Sequence, residues 1–296
     1  MSKPLLALAG LAVLVGCRSA MPTPPSADDL RQRIATIVAE YPEATVAVAV
    51  RDAHTGLSLD LNADRRFHAA STMKVPVMIE AFRQVEAGRL GWDDPIPVEN
   101  RFTSIVDGST FSIGDDSDDA LYTRLGGTMP LRDLTRRAIT TSSNLATNLM
   151  MEVLTADSVQ ATTLALGGEG MLVLRGVEDL LAFEQGLSNR ATAGGLAALM
   201  EAIRDGRAVS ESASREMLDI LFQQEFDEMI PAGLPAGTRA AHKTGWITRI
   251  HHDAAIVYPE DALPYVLVVL TEGLDDHDES ARLGAEVARV VHRALR

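Results

Sequence analysis

The sequence predicts an α/β fold: a five-stranded antiparallel sheet flanked by N- and C-terminal helices, with an all-helical subdomain inserted between its strands. Alternating Val and Leu around a "DAHTG" turn place a hairpin near the N-terminus. "RAAHKTGWI", "HDAAIVYP" and "LPYVLVVLTEG" place three more strands at hairpin spacing near the C-terminus. Between about residues 72 and 230 lie several short helical patterns and no run of strands. A single sheet drawn from both ends of the chain, with the helical middle inserted, is the economical way to bury these faces.

In chain order, Ser26 can cap a helix that carries Asp28 and Asp29 in its first turn and runs to about Glu40. "ATVAVAVRDAHTGLSLDLN" forms the first hairpin, and "STMKVPVMIEAFRQVEAG" has helical periodicity up to Gly88. "TTSSNLATNLM" starts another helix in the middle. After the three C-terminal strands, "DESARLGAEVARVVHRAL" is amphipathic, and the acidic "DDHDES" suits its N-terminus. No internal repeat interrupts this order.

The first residues belong to a different category. "MSKPLLALAGLAVLVGC" has one positive charge, an apolar run too short to span a bilayer, and then Cys17. Residues 1–16 read as a signal peptide. "LVGC" resembles a bacterial lipobox, which implies lipidation of Cys17; an ordinary secretory signal with an incidental cysteine is the alternative. Residues 17–26 then form a Pro- and Ser-rich tether, and 27–296 the folded domain. The expected location is periplasmic or cell-surface, with the membrane touched only through the lipid. Cys17 is the single cysteine, so no intrachain disulfide can form.

At 296 residues, 46% hydrophobic and 23% charged, the composition is that of a globular protein. A formal net charge of −14 argues against nucleic acid as a partner, because phosphate contacts need clustered Lys and Arg. Nothing in the chain demands a cofactor or more than a monomer.

Of 27 basic residues only three are lysines: Lys3, Lys74 and Lys243. Lys3 lies in the removable segment, which leaves two positions where arginine was not used. Ser71 and Lys74, three apart at a helix start, share one face. The helix N-terminus offers N–H groups to an oxyanion. A serine hydroxyl becomes a nucleophile when a base takes its proton, and a desolvated lysine with lowered pKa can be that base where arginine cannot. Ser-x-x-Lys alone also describes an ordinary capped helix. Two further stretches join it: Ser142 and Asn144 at a helix start, and Lys243, Thr244 and Gly245 on a strand, where glycine lets a ligand approach the backbone.

Ser-x-x-Lys, Ser-x-Asn and Lys-Thr-Gly in this order resemble the penicillin-recognising serine enzymes, and specifically the class A β-lactamases. Ser71 and Ser142 lie 71 residues apart, and Ser142 and Lys243 lie 101 apart; these intervals also resemble that family, the first being somewhat long. The resemblance implies that Ser71 is the acylated nucleophile and Lys74 its proton acceptor or relay. It implies that Ser142 passes a proton to the departing lactam nitrogen, and that Asn144 holds the substrate's acylamide. Lys243 and Thr244 would bind its carboxylate, and the backbone N–H groups of Ser71 and Trp246 would form the oxyanion hole. A β-lactam would be the small-molecule substrate.

Two departures stand out. Ser143 occupies the middle of the second motif, where class A enzymes usually carry aspartate. The loop "LRGVEDLLAFEQGLSNRATA" lacks the family's Glu-x-x-x-Asn pattern for activating the deacylating water. Glu178 lies nearest the expected position, with Asp179 and Glu184 also in reach. Glu178 could instead simply pair with Arg175 across the loop neck. The expected function is therefore a serine β-lactamase working through a Ser71 acyl-enzyme. A penicillin-binding D,D-peptidase or transpeptidase acting on peptidoglycan is the alternative, and a non-catalytic cell-wall-binding lipoprotein is a third reading.

Other clusters carry less. His251, His252 and Asp253 suggest a metal, but adjacent side chains on a strand point to opposite faces, so no metal site is expected there. "GDDSDDALY", residues 114–122, lacks EF-hand spacing and reads as an exposed acidic loop near the site.

Overall fold

The computed structural model describes residues 26–296. Cys17, the segment 1–16 and the tether up to residue 25 lie outside the described residues. The first helix, α1 (Ala27–Val38), begins as its sequence demands: Ser26 Oγ accepts the Asp29 N–H at 3.1 Å, with Asp28 and Asp29 in the first turn.

Strands β1 (Thr45–Asp52) and β2 (Ser58–Leu61) form the first hairpin. Strands β3 (Arg239–Ile247), β4 (Ile250–Tyr258) and β5 (Tyr265–Glu272) form the C-terminal meander. All five join one antiparallel sheet in the order β2-β1-β5-β4-β3. The two ends of the chain meet where β1 pairs with β5, Val48 opposite Val269. This order leaves β3, the strand of the Lys-Thr-Gly motif, at an edge.

The period of two sorts each strand's residues between two apolar layers. Val46, Val48, Val50, Leu267 and Val269 pack with Leu30 and Ile34 of α1 and with the C-terminal helix α8 (His277–Leu295). Ala47, Ala49, Val268 and Leu270 face the helical half of the molecule. Both faces of the sheet are therefore covered, which is why β4 and β5 are buried almost end to end. Each fully buried Val or Leu contributes about 1.5–3 kcal/mol of transfer free energy, an upper figure because unfolded chains are already partly collapsed.

The middle supplies α2 (Lys74–Glu86), α3 (Leu131–Thr140), α4 (Asn144–Leu154), α5 (Ala156–Ala165), α6 (Ala193–Arg204) and α7 (Glu211–Leu221). Helix α2 is buried nearly all round, its polar Lys74, Glu80 and Gln84 included, and sits at the centre of this half. Its buried Glu80 accepts from Arg83 at 2.6 and 2.7 Å, Gln84 at 2.7 Å and Thr162 at 2.6 Å. These bonds satisfy a carboxylate that would otherwise be costly to bury, and they tie α2 to α5.

Three two-stranded pairs were not legible in the middle: 67–68 with 190–191, 95–97 with 128–130, and 102–103 with 110–111. Strands of two or three residues are too short to show a period. The segment expected to be helical from Ser71 also divides, with residues 70–73 forming a 3-10 turn before α2 proper.

Candidate active site

Ser71 lies on that 3-10 turn, at the junction of the sheet and the helical half. Ala70 is held at φ +44°, an uncommon conformation for a residue with a side chain, and its N–H donates to His68 Nδ1 at 3.0 Å. Burial and the charges of Arg175 and Arg190 push His68 down to about 4, so the ring is neutral and its Nδ1 free to accept. Thr72 Oγ1 donates to Ala69 O at 2.6 Å and closes the turn. Strand β3 crosses directly over it: a Cβ on Gly245 would lie 2.8 Å from Ser71 N and 2.9 Å from Thr72 N. Only glycine permits this approach.

Lys74 is fully buried at the start of α2. Its Nζ donates to Ser142 O at 2.5 Å, Asn144 Oδ1 at 2.8 Å and Ser142 Oγ at 3.3 Å. Burial pushes its pKa down to about 7, against the opposing pull of Asp116 and Glu178. Lys243 is equally buried; its Nζ donates to Ser142 Oγ at 3.0 Å and to Thr244 O at 2.9 Å. Desolvation, reinforced by the charge of Lys74, holds Lys243 well below its ordinary value. The two rare lysines thus converge on one hydroxyl.

That hydroxyl sits on a strained residue, since Ser142 has φ +58°. Ser143 caps α4, its Oγ accepting the Ala146 N–H at 3.2 Å. The aspartate missing from the motif has a counterpart elsewhere. Asp116 Oδ1 accepts Asn144 N–H at 2.9 Å, while Oδ2 accepts Leu145 N–H at 2.8 Å, Tyr122 OH at 3.2 Å and Ser143 Oγ–H at 3.3 Å. The 114–122 loop is therefore not merely exposed and acidic. Asp116 supplies the first N–H groups of α4 with acceptors, and buried Asp118 pairs with Arg137 at 2.8 Å.

The Asn144 amide links the lysine to the loop carboxylate. Its Oδ1 faces Lys74, and its Nδ2 donates to Glu178 Oε1 at 2.8 Å and to Asp115 O at 3.3 Å. A donor on one side and a carboxylate on the other fix which way the amide points. Glu178, at φ +60°, also accepts Gly114 N–H on Oε2 at 3.3 Å. The alternative pairing with Arg175 does not form, because Arg175 donates to Leu187 O at 2.9 Å and Gly176 O at 3.0 Å. Asp179 is buried and turned to another task, accepting from Ser104 Oγ, Ile105 N and Ala182 N, each at 3.0 Å. Glu184 is exposed. Of the three carboxylates in this loop, the structure brings only Glu178 to Asn144 and Lys74.

Asn148 was not singled out in the sequence, yet it holds the loop down. Its Nδ2 donates to Val177 O at 3.0 Å and its Oδ1 accepts Val177 N–H at 2.6 Å. The signal was available in hindsight: Asn148 lies four residues after Asn144, one turn along the same face. Thr244 is buried beside Lys243, whereas the Trp246 indole is exposed, edge-on to His277 at 5.2 Å. His251 and His252 do diverge. His252 turns towards His68 O at 2.9 Å, and His251 turns to the opposite face of the sheet, where it meets Ser280 Oγ of α8 at 3.0 Å. Glu228 and His277, which sequence reasoning passed over, are the residues that meet His251 there.

The sheet with its helical insert, and the three motifs meeting at the Ser142 hydroxyl, match the serine penicillin-recognising class of enzymes. A profile of the β-lactamase enzyme family matches residues 29–295. This chain belongs to that family. It is similar to β-lactamase L2 of Stenotrophomonas maltophilia, 26% identical over 84% of this chain and 80% of that protein. Among solved structures, PBP-A superimposes with a TM-score of 0.80 at 25% identity, covering 92% of this chain and 98% of that one. A β-lactamase from Sphaerobacter thermophilus gives 0.78 at 26% identity, covering 92% and 98%.

Proposed function

We propose that the chain is a serine β-lactamase that hydrolyses the lactam amide through an acyl-enzyme on Ser71. The observation that carries this reading is the bridge Lys74–Asn144–Glu178, which holds a proton acceptor for Ser71 and a carboxylate base on the same amide. With a pKa pushed down to about 7, Lys74 is partly neutral at neutral pH and able to take the Ser71 proton. Ser71 Oγ then bonds to the lactam carbonyl carbon, and the oxyanion is received by the N–H groups of Ser71 and Trp246. Ser142 Oγ, between the two lysines, accepts from Lys243 and delivers a proton to the lactam nitrogen as the C–N bond breaks; Lys74 replaces that proton. Lys243 and Thr244 bind the substrate carboxylate. Glu178 then takes a proton from a water that attacks the ester carbonyl carbon; as the bond from that carbon to Ser71 Oγ breaks, the proton returns to Ser71 Oγ and both groups are restored.

The second reading is a penicillin-binding peptidase with the same acylation chemistry and slow deacylation. It draws support from the absence of the loop asparagine of the Glu-x-x-x-Asn pattern and from the likeness to PBP-A, a point mutant of which is known as an acyl-enzyme with penicillin G. Intact mass followed with penicillin consumption separates the two. Continued turnover with a fleeting adduct supports the β-lactamase; a stable adduct with about one lactam consumed per chain overturns it. Export and lipid anchoring at Cys17 belong to the same proposal, because a periplasmic or cell-surface site is where lactams act.

A further inference from the structure

Apart from the Ser71–Ser142 site, three segments distant in sequence bring together Glu228, His251 of β4 and His277 at the start of α8. Each offers a ligand atom, and these atoms all lie within 4.8 Å of one another. His251 is 1% exposed, and its Nε2 is buried without a hydrogen-bond partner among the described residues. Such an orphan is costly unless something occupies it.

The hydrogen bonds indicate what that is. Ser280 Oγ contacts His277 O at 2.8 Å, which can only accept, and His251 Nδ1 at 3.0 Å. For both to be hydrogen bonds, the hydroxyl proton goes to the carbonyl and His251 Nδ1–H donates to Ser280 Oγ. In the neutral ring that leaves the Nε2 lone pair facing Glu228 Oε1 at 3.5 Å; in the imidazolium a second N–H points there instead. A lone pair and a carboxylate face to face call for a positive charge between them, either a proton or a metal ion. His277 brings a third donor close by, its Nε2 lying 3.8 Å from Glu228 Oε1 and its ring stacked on His251 with centroids 4.5 Å apart.

We propose that Glu228, His251 and His277 form a binding site for a divalent transition-metal ion of the zinc class. Two imidazoles and a carboxylate are a donor set that zinc takes, and ligand atoms about 2.0–2.1 Å from a tetrahedral ion lie roughly 3.3–3.5 Å apart. The observed 3.5 and 3.8 Å need slight closure, and the partly exposed His277 ring, stacked on His251 at 28°, must turn so that both nitrogens face the ion. Ser280 holds the His251 ring as an outer-shell acceptor typically does. The His277 side chain is 38% exposed, which leaves a path for the ion and for a water as fourth ligand. The ion would clamp the Glu228 segment, β4 and α8 together and so stabilise the fold by mass action.

The test titrates the purified chain, prepared without a polyhistidine tag, with cobalt(II) and then zinc(II). The expected result is one equivalent of cobalt with a tetrahedral visible band, displacement of that band by zinc, and a Tm that rises with zinc. His277→Ala and Glu228→Gln each weaken binding by more than about tenfold. Both side chains are partly exposed, so these variants fold, as their metal-free Tm will register. His54→Ala, at an exposed site, leaves binding unchanged. Absence of the tetrahedral band, or equal binding by wild type and His277→Ala, means adventitious surface binding only and a proton between His251 and Glu228. Either result overturns the proposal.

Discussion

The Asp116 carboxylate accepts the backbone N–H of Asn144 at 2.9 Å from a loop 28 residues upstream. The second motif carries Ser143 where its relatives usually have aspartate, and Asp116 provides the carboxylate from outside the motif. It orders the first turn of α4, and with it the side chain that joins Lys74 to Glu178.

Asp116→Ala is therefore expected to lower stability by about 1–3 kcal/mol, the scale of a lost cap with unsatisfied donors left behind. It should lower kcat more than it raises KM, because Asn144 loses its position. The charge of Asp116 also supports protonated Lys74, so its removal lowers that pKa further and moves the acid limb of the kcat/KM profile to lower pH. Urea melts and a pH–rate profile check both. An unmoved acid limb would mean that Lys74 does not govern it.

Glu178→Gln separates the two half-reactions. If Glu178 deprotonates the deacylating water, its loss slows that step by about 10²- to 10⁴-fold and leaves acylation in place. Intact mass should then show a persistent penicillin adduct on Ser71. Asp179→Asn is the informative contrast, since Asp179 ties the loop to Ser104 and Ile105. That variant should lose stability without trapping the adduct. An adduct that accumulates equally in both would remove Glu178's special role.

Gly245→Ala tests the close approach of β3 to the Ser71 turn. The added methyl would lie 2.8 Å from a backbone nitrogen, and neither partner is a flexible side chain that can move away. Overpacking of this kind costs about 1–3 kcal/mol. A displacement of about 1 Å between Ser71 and Trp246 costs on the order of 10²-fold in rate. The check is kcat/KM alongside Tm; an active variant would show that the oxyanion donors lie elsewhere.

The sheet and the three motifs were legible because both have short-range signatures. Val46 to Val50 alternate at period two, and Lys74 and Lys243 stand out against a background of arginine. Asp116, Asn148 and the Glu228–His251–His277 cluster had no such signature. Asp116 meets Asn144 only because the 114–122 loop folds over α4, and His251 meets His277 only because α8 packs against the sheet. The divergence of His251 from His252 is a local rule and was readable. Where each ring ends up depends on tertiary packing, and so does the choice of Glu178 over Asp179.

The buried Lys74 also makes a prediction about stability. Its folded pKa is about 7, against 10.5 for an ordinary lysine. Between those values the unfolded chain binds a proton that the folded chain lacks, so stability rises with pH across that window, and the penalty is complete below about pH 7. Lys74→Met removes the titrating group. It also relieves Lys243 of a neighbouring charge that lowers its pKa, which flattens the variant's pH dependence further. Urea melts at about pH 6 and about pH 9 should therefore show wild type gaining on Lys74→Met as pH rises, while the variant is inactive at both. On the proposed mechanism catalysis needs an amine that can lose its proton, and the fold bears the cost of burying it. Parallel pH slopes for the two proteins would mean that Lys74 stays charged throughout, and it could then not be the acceptor of the Ser71 proton.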